Sequence, residues 1–472
     1  MTEAAQTNDG PSTDEPSGQT GTLAAFAAGL RYEDIPAEVI AHAQLCVLDA
    51  LGCGLFASSL PWCRIVNELA VQRYAAGNST IWGTELSTCS DGAALANGTS
   101  GHGFELDDIH PGGMHPGPLA VSAALALAEE VGGSGRDVLT AVVAGYEVGC
   151  RVALSVLKGH AKAGFHAQGT VGAFVAAATA GNILGLDADQ MRDALGIVGS
   201  MSAGLLVAQE GGMTKRLHSG RAAQNGVQAA LLARKGFTAV PDVLENQLGG
   251  FCKAMCNGPA DLAALTDGLG TTWETARVGF KIYPSCGGSH SGLHAVRELR
   301  RTHAFRAEDV ASVTVHGSSH AVMKVGTPYT PSSVASAQMS LGFTVALMLQ
   351  FGEIPLDKLT DEGIREPETL ALAERVVMIP DPEIDARGPL GRHACRARVE
   401  LTDGRVFETA IEHRPGSTKM PITSDDLREK FRSLSAQTLP PDQVHEIEKT
   451  VFDLPTLDSA STLTALLVKD AS

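Results

Sequence analysis

Aromatic residues are scarce in this chain of 472 residues: Phe, Trp and Tyr together make up 5%, while apolar residues as a whole reach 44%. A core large enough for that length must therefore bury many small aliphatic side chains, which favours close-packed helices rich in Ala and Gly. Long hydrophobic runs are also missing. The most apolar stretches, near 119–128 and 341–351, fall short of the roughly 18 residues that suggest a membrane span, so no membrane partner is expected. There is no run of Lys or Arg, and the formal charge is −17, which argues against nucleic acid or an anionic surface as the main partner. The nine cysteines are scattered and form no C-x-x-C pair, so a disulfide framework, an iron–sulfur cluster and a structural zinc are all disfavoured, and a reducing, cytoplasmic setting is expected. Cofactor signatures are absent as well. No G-x-x-x-x-G-K-[ST] occurs, Gly101-x-Gly103 lacks its third glycine because Leu106 stands there, and Gly287-x-Ser289-x-Ser291 fails the nucleophile-elbow pattern at its last residue. No nucleotide, flavin, pyridoxal phosphate or metal is therefore expected.

What is present divides into textures. Residues 1–20 are polar, with Glu3, Asp9, Asp14 and Glu15 and no basic residue before Arg31; they read as a disordered tail. After Pro36, the residues Ile40, Ala43, Val47 and Leu51 recur at spacings of three and four, the mark of an amphipathic helix. Residues 118–131, 136–157, 170–185, 187–201 and 219–235 also read as helices, two of them stopped by Gly133 and Gly236. Beyond about 270 the period changes. Ala311, Val313 and Val315 alternate with polar neighbours, as do Ala397, Val399 and Leu401, and Asp403-Gly404 signals a hairpin. With helices at 288–303 and 332–350, residues 270–411 read as a smaller α/β domain; 21–269 and 412–472 read as one mostly α, all-helical domain.

Four clusters carry chemistry. The run from Asn97 to Pro116 packs Glu105, Asp107, Asp108, His102, His110 and His115 among glycines and prolines; a solvated loop with an Asx turn at Asp107-Asp108 is the plainer alternative. His166 precedes the small-residue segment Gly172–Gly181, so a helix start would disfavour imidazolium and leave the neutral base that proton abstraction needs; a histidine satisfied by backbone is the alternative. Lys215, Arg216, His218 and Arg221 open a helix after Gly211-Gly212 and supply the local positive charge that an acidic protein needs for a carboxylate ligand. Lys281, Tyr283, Cys286 and His290 lie at the junction where the α/β domain begins, and clefts between domains are preferred ligand sites; here the alternative is a surface lysine at a strand end.

Glu105-Leu106-Asp107-Asp108 with His115, then Gly211-Gly212-Met213-x-Lys215-Arg216 followed by Ala222-Ala223-x-Asn225-Gly226, then Lys281-x-Tyr283-x-x-Cys286-Gly287 and His290 resemble the MmgE/PrpD family blocks, in order, from about 22 to 468. That family includes 2-methylcitrate dehydratase, cis-aconitate decarboxylase and iminodisuccinate epimerase. The resemblance implies an all-helical domain made by both chain ends, an α/β lid and a homodimer. It also implies active-site roles for His115, His166, Lys215 and Lys281. Where animal decarboxylases carry Asp and Thr around the acidic pair, this chain has Glu105 and Ile109; the fungal ones are more alike here.

The expected activity is that of a cofactor-independent lyase on a small di- or tricarboxylic acid, by proton abstraction α to a carboxylate. Dehydration of a 2-methylcitrate-like acid is taken first, with itaconate-forming decarboxylation or epimerisation as alternatives. In that scheme His115 and His166 handle protons, Lys215 and Lys281 bind carboxylates or the enolate, and Asp107 and Asp108 orient His115 or the loop. Glu105, Arg216, His218, Arg221, Tyr283, Cys286 and His290 line the substrate site. Outside the family, a metal-dependent hydratase built on His102, His110, His115 and an aspartate, or a non-enzymatic helical binding protein, are the competing classes.

Overall fold

The computed structural model describes residues 18–469. Of the expected tail, residues 1–17 lie outside that range, but 18–20 are structured. They begin the helix Gly18–Gly29, and Thr20 is buried with its backbone N–H donating to Glu245 Oε1 at 3.2 Å. The expected tail therefore does not extend through residue 20.

Helices dominate the first half. Ala37–Ala57, Ser90–Gly101, Gly117–Val131, Gly135–Val156, Gly172–Ile183, Ala188–Met201 and Thr214–Arg234 pack into one body. Their starts are written locally: Ser134 and Asp137 form a reciprocal capping box, with the Ser134 N–H donating to Asp137 Oδ2 at 2.8 Å. The helix Gly117–Val131 ends at residue 131 as expected, but the glycine that closes it is Gly132, φ +74°, and not Gly133, because Gly132 takes the left-handed closing conformation. Close approach explains other glycines. A Cβ at Gly145 would fall 1.9 Å from Thr179 Oγ1 and one at Gly220 2.1 Å from Thr99 Oγ1, so helix axes meet where a side chain cannot fit.

Ala37–Ala57 and Gly135–Val156 are long and apolar enough to cross a bilayer by length and composition, yet 78% and 94% of their most apolar windows are buried inside the protein. They are hydrophobic nearly all round because they are core helices.

The second texture becomes a four-stranded sheet in the order 376–380, 310–317, 395–401, 406–411. Val376–Pro380 pairs parallel with Val310–Gly317, and the other neighbours are antiparallel. Cys395–Leu401 and Val406–Ile411 form the hairpin expected at Asp403-Gly404, with Gly404 at φ +86°. A register irregularity between Val310 and Ser312 changes the phase of the first strand, so Val310, Val313 and Val315 are buried while Ala311 is exposed. The expected helix 332–350 is two helices, Val334–Gln338 and Leu341–Phe351, interrupted at Ser340, whose hydroxyl accepts from Phe343 N.

Buried apolar residues gather in two large clusters. One draws on 23–280 and on the C-terminal helices from Leu427 to Leu467. The other draws on 283–401 with Leu434, and is joined by Cys53, Phe104 and Leu106 from the helical half. Phe104 and Leu106 flank Glu105, so the carboxylate-rich segment sits on the seam between the clusters.

Candidate active site

The segment 102–116 is not a surface loop. His102, Glu105, Asp107, Asp108 and His110 are all buried, which removes the solvated Asx-turn alternative. Hydrogen bonds in both directions fasten its middle to the start of the α/β segment, Ile109 N to Gly279 O at 2.8 Å and Gly279 N to Ile109 O at 3.0 Å. Lys281 lies two residues beyond that pairing. It is 0% exposed, so it is not a surface lysine at a strand end.

Glu105 is the electrostatic centre. Its carboxylate meets Lys215, Arg216 at 2.5 Å and Lys281 at 3.0 Å. Burial alone would raise its pKa, but the three cations hold it well below the usual carboxylate range. Its backbone stands at φ +58°, a left-handed conformation that costs a non-glycine residue energy. The helix Thr214–Arg234 brings Lys215 and Arg216 to the site in its first turn. Burial lowers the Lys215 ammonium to about 8, with Glu105 opposing and Arg216 and Lys281 adding to the fall. Lys281 goes the other way: burial opposes its charge, but Glu105 and Asp107 outweigh that and raise its pKa.

Against this cluster stand the histidines. Asp107 Oδ2 lies 2.6 Å from His102 Nδ1, whose Nε2 is 3.2 Å from Lys215 Nζ. The resulting carboxylate–imidazole–ammonium chain uses a residue, His102, that was placed only in the metal alternative. His115 Nδ1 meets Asp108 O at 2.5 Å, which directs Nε2 to the remaining space. Gln168 clamps the His115 peptide, accepting from its N–H at 3.1 Å and donating to its carbonyl at 2.9 Å. Burial drives His115 to about 3 and His166 well below its ordinary value, with Lys281 and Lys215 respectively adding to the effect. Both imidazoles are therefore neutral near pH 7. For His166 the neutral form was expected from a helix start; it does precede the short helix Ala167–Thr170, but desolvation is the larger cause.

The remaining residues divide. His218 Nδ1 is 2.9 Å from His166 Nδ1, and Cys286 joins Glu105, His115, His166 and Lys215 in lining a cavity of about 800 Å³. The side chain of Asp108 turns away from the cavity to accept from Gly117 N at 3.0 Å and Tyr146 Oη at 2.8 Å, and burial beside Asp49 and Asp107 raises its pKa far above normal. Tyr283 packs behind the wall against His290, which points Nε2 at Ser285 O. Arg221 is exposed and reaches Gln224. His110 is spent on structure, between Glu274 Oε2 at 2.9 Å and Gly112 N at 3.0 Å. Gln338, which accepts from Arg216 at 2.7 Å and donates to Phe104 O at 2.7 Å, had no sequence signal. Lys324, His320 and Arg392 from the α/β half also line the cavity.

His102, Asp107 and His115 offer three ligand atoms within 4.8 Å of one another and are the residues that could hold a metal. The neighbours fit poorly with that use. Lys215 stands 3.2 Å from His102 and Lys281 3.6 Å from Asp107, so a divalent cation would meet two ammonium groups; the same field favours an anion.

The MmgE/PrpD N-terminal domain matches residues 21–262 and the MmgE/PrpD C-terminal domain matches residues 283–454. A cis-aconitate decarboxylase-like protein of Aspergillus oryzae is 29% identical over 95% of this chain and 97% of its own. The cis-aconitate decarboxylase of Aspergillus terreus is 29% identical over 96% of each, and the 2-methylcitrate dehydratase of Cupriavidus necator is 25% identical over 91% and 92%. Lys281 falls in the stretch between the two domain matches, so the junction between them supplies one cation of the buried cluster, and the chain belongs to the MmgE/PrpD family.

Proposed function

We propose that this protein is a lyase acting on a small tricarboxylic acid through a carbanion next to a carboxylate. The observation that carries the reading is the buried pairing of an excess of cations, Lys215, Arg216 and Lys281 around one Glu105, with imidazoles kept neutral at the same cavity. Fixed cations in a water-poor site stabilise charge developing on an enolate far better than water does. A neutral imidazole can accept a proton, and a lysine with a pKa of about 8 can donate one near neutral pH.

Decarboxylation of cis-aconitate is the finer reading taken first, since the decarboxylase relatives have 29% identity across nearly the full chain. In that reaction a C–C bond breaks, CO₂ departs, and the electron pair left on carbon takes one proton, for which Lys215 is the assigned donor. Dehydration of a 2-methylcitrate-like acid is the second reading; there His115 or His166 removes the α-proton and hydroxide leaves as water with a donated proton. We read 21–269 with 412–472 as the helical domain, 270–411 as the lid, and the working form as a homodimer.

The test is incubation with a panel of di- and tricarboxylates of four to seven carbons in deuterated water, followed by NMR. Itaconate carrying deuterium identifies the decarboxylase, and loss of water from methylcitrate the dehydratase. Absence of product and of deuterium exchange across the panel would reject the lyase reading.

A further inference from the structure

The α/β side of the cavity carries cations that form no ion pair with a carboxylate among the described residues. Lys324 extends from the helix Ser319–Val325 and donates to Gln209 Oε1 at 2.8 Å. Arg392 donates from Nη2 to His320 Nε2 at 2.9 Å, and its Nε is buried with no partner. That pairing makes Nε2 the acceptor, so His320 is neutral, in keeping with a pKa pushed down to about 3 by burial and by Arg392 and Lys324. Among the described residues no carboxylate forms an ion pair with Lys324 or Arg392. The nearby Asp385 is engaged by Ser319, whose N–H donates at 2.8 Å. Arg392 also reaches the opposite side: a Cβ built on Gly113 would stand 3.3 Å from its Nη2. Gly113 lies two residues before His115 on the same segment.

A half-buried guanidinium whose Nε is buried without a partner, near an ammonium, is costly, and an oxyanion bound between them removes that cost. We propose that Lys324 and Arg392 form a second carboxylate seat in the cavity that Glu105 and Lys215 also line, which takes the carboxylate farthest from the reacting carbon and selects tricarboxylic over dicarboxylic substrates. The proposal rests on the polycarboxylate reading of the cavity and adds the residues that set its specificity. Gln209 and Gly113, touched by Lys324 and Arg392, belong to the helical half, so an acid seated there bridges both sides of the cavity.

The experiment is calorimetric titration of the full chain with two unreactive acids, propane-1,2,3-tricarboxylate and methylsuccinate, which keeps a vicinal pair of carboxylates and lacks the third. The wild type is expected to bind the tricarboxylate roughly tenfold or more tighter, the scale of one or two charge-assisted contacts. In Arg392→Gln and in Lys324→Gln that preference should shrink to within about threefold, the same scale with such contacts removed. A preference unchanged in folded variants, or a wild type that does not favour the tricarboxylate, overturns the seat. Should Arg392→Gln fail to fold, Lys324→Gln on a separate helix decides. A chain that keeps the selective binding but turns over no polycarboxylate retains the seat and loses the lyase reading; a lyase indifferent to both substitutions does the reverse.

Discussion

The two sides of the cavity hold similar numbers of cations under opposite conditions. On the helical side Lys215 and Arg216, with Lys281 at the seam, converge on Glu105, and further carboxylate is near in Asp107. On the α/β side the hydrogen-bond partners of Lys324 and Arg392 among the described residues are neutral, Gln209 and His320. A buried charge with an internal counter-ion is fixed in place before any ligand arrives, and such preorganisation suits groups that must meet charge developing in a transition state. A charge without one is stabilised by ligand binding itself, which suits recognition. On the reading proposed above, the first side performs the chemistry and the second the selection.

The largest effect should come from removing the counter-ion. Glu105→Ala leaves three cations crowded in a buried site and should cost about 3–5 kcal/mol of stability, the usual scale for breaking a buried ion pair, along with all measurable turnover; urea denaturation and the NMR assay check both. If stability is unchanged, the helical side is not the preorganised one. Next is Lys215→Ala, expected to lower kcat/KM by at least roughly 10²-fold with the fold intact. Lys215→Arg should recover little, because a planar fork does not replace a compact ammonium, and Ala at the exposed Lys235 should change nothing. Steady-state kinetics on the true substrate decides.

The pH profile sharpens the same contrast. Lys215 must be protonated to donate, and its pKa is lowered to about 8, so kcat/KM should fall as pH rises through about 8. His115 sets no limb between pH 5 and 7, since at about 3 it is already neutral there, and burial pushes His166 in the same direction. A plateau reaching pH 10 would remove Lys215 from the donor role. Chelation should have a smaller effect still: turnover is expected to persist in EDTA, and a loss restored by a divalent ion would instead give His102, Asp107 and His115 to a metal. A separate effect, on stability alone, concerns the N-terminus. Thr20→Ala removes a hydroxyl that hydrogen-bonds Glu245 and should lower stability by about 1.5–3 kcal/mol, visible as a fall in melting temperature; truncation through residue 20 should do the same, contrary to the expectation that this segment is dispensable.

Much of the helical half was legible because its helices carry their own start signals and periodicity, as at Ser134-Asp137 and in the run from Ile40 to Leu51. Edges were less so. The first turn of Thr214–Arg234 is polar and follows two glycines, so the helix reads as starting at 219, and Val376–Pro380 escaped because a five-residue strand paired on one side carries little alternation. At the site, density of histidine and carboxylate marked the segment 102–116. It did not tell which side chains face the cavity, so Arg221 and Asp108, which do not line it, read as site residues alongside His115 and Lys215.

Residue type and order alone determined that this chain builds close-packed helices from small side chains, changes period near 270, and holds basic, acidic and imidazole groups in four separate segments. Only the tertiary structure decided that Glu105 neutralises Lys215, Arg216 and Lys281 together, that His102 links Asp107 to Lys215, and that Lys324 and Arg392 complete the cavity. The reason is distance. Glu105 and Lys281 are 176 positions apart in the chain yet 3.0 Å apart in space, and electrostatic coupling depends on the second quantity, which no local pattern encodes.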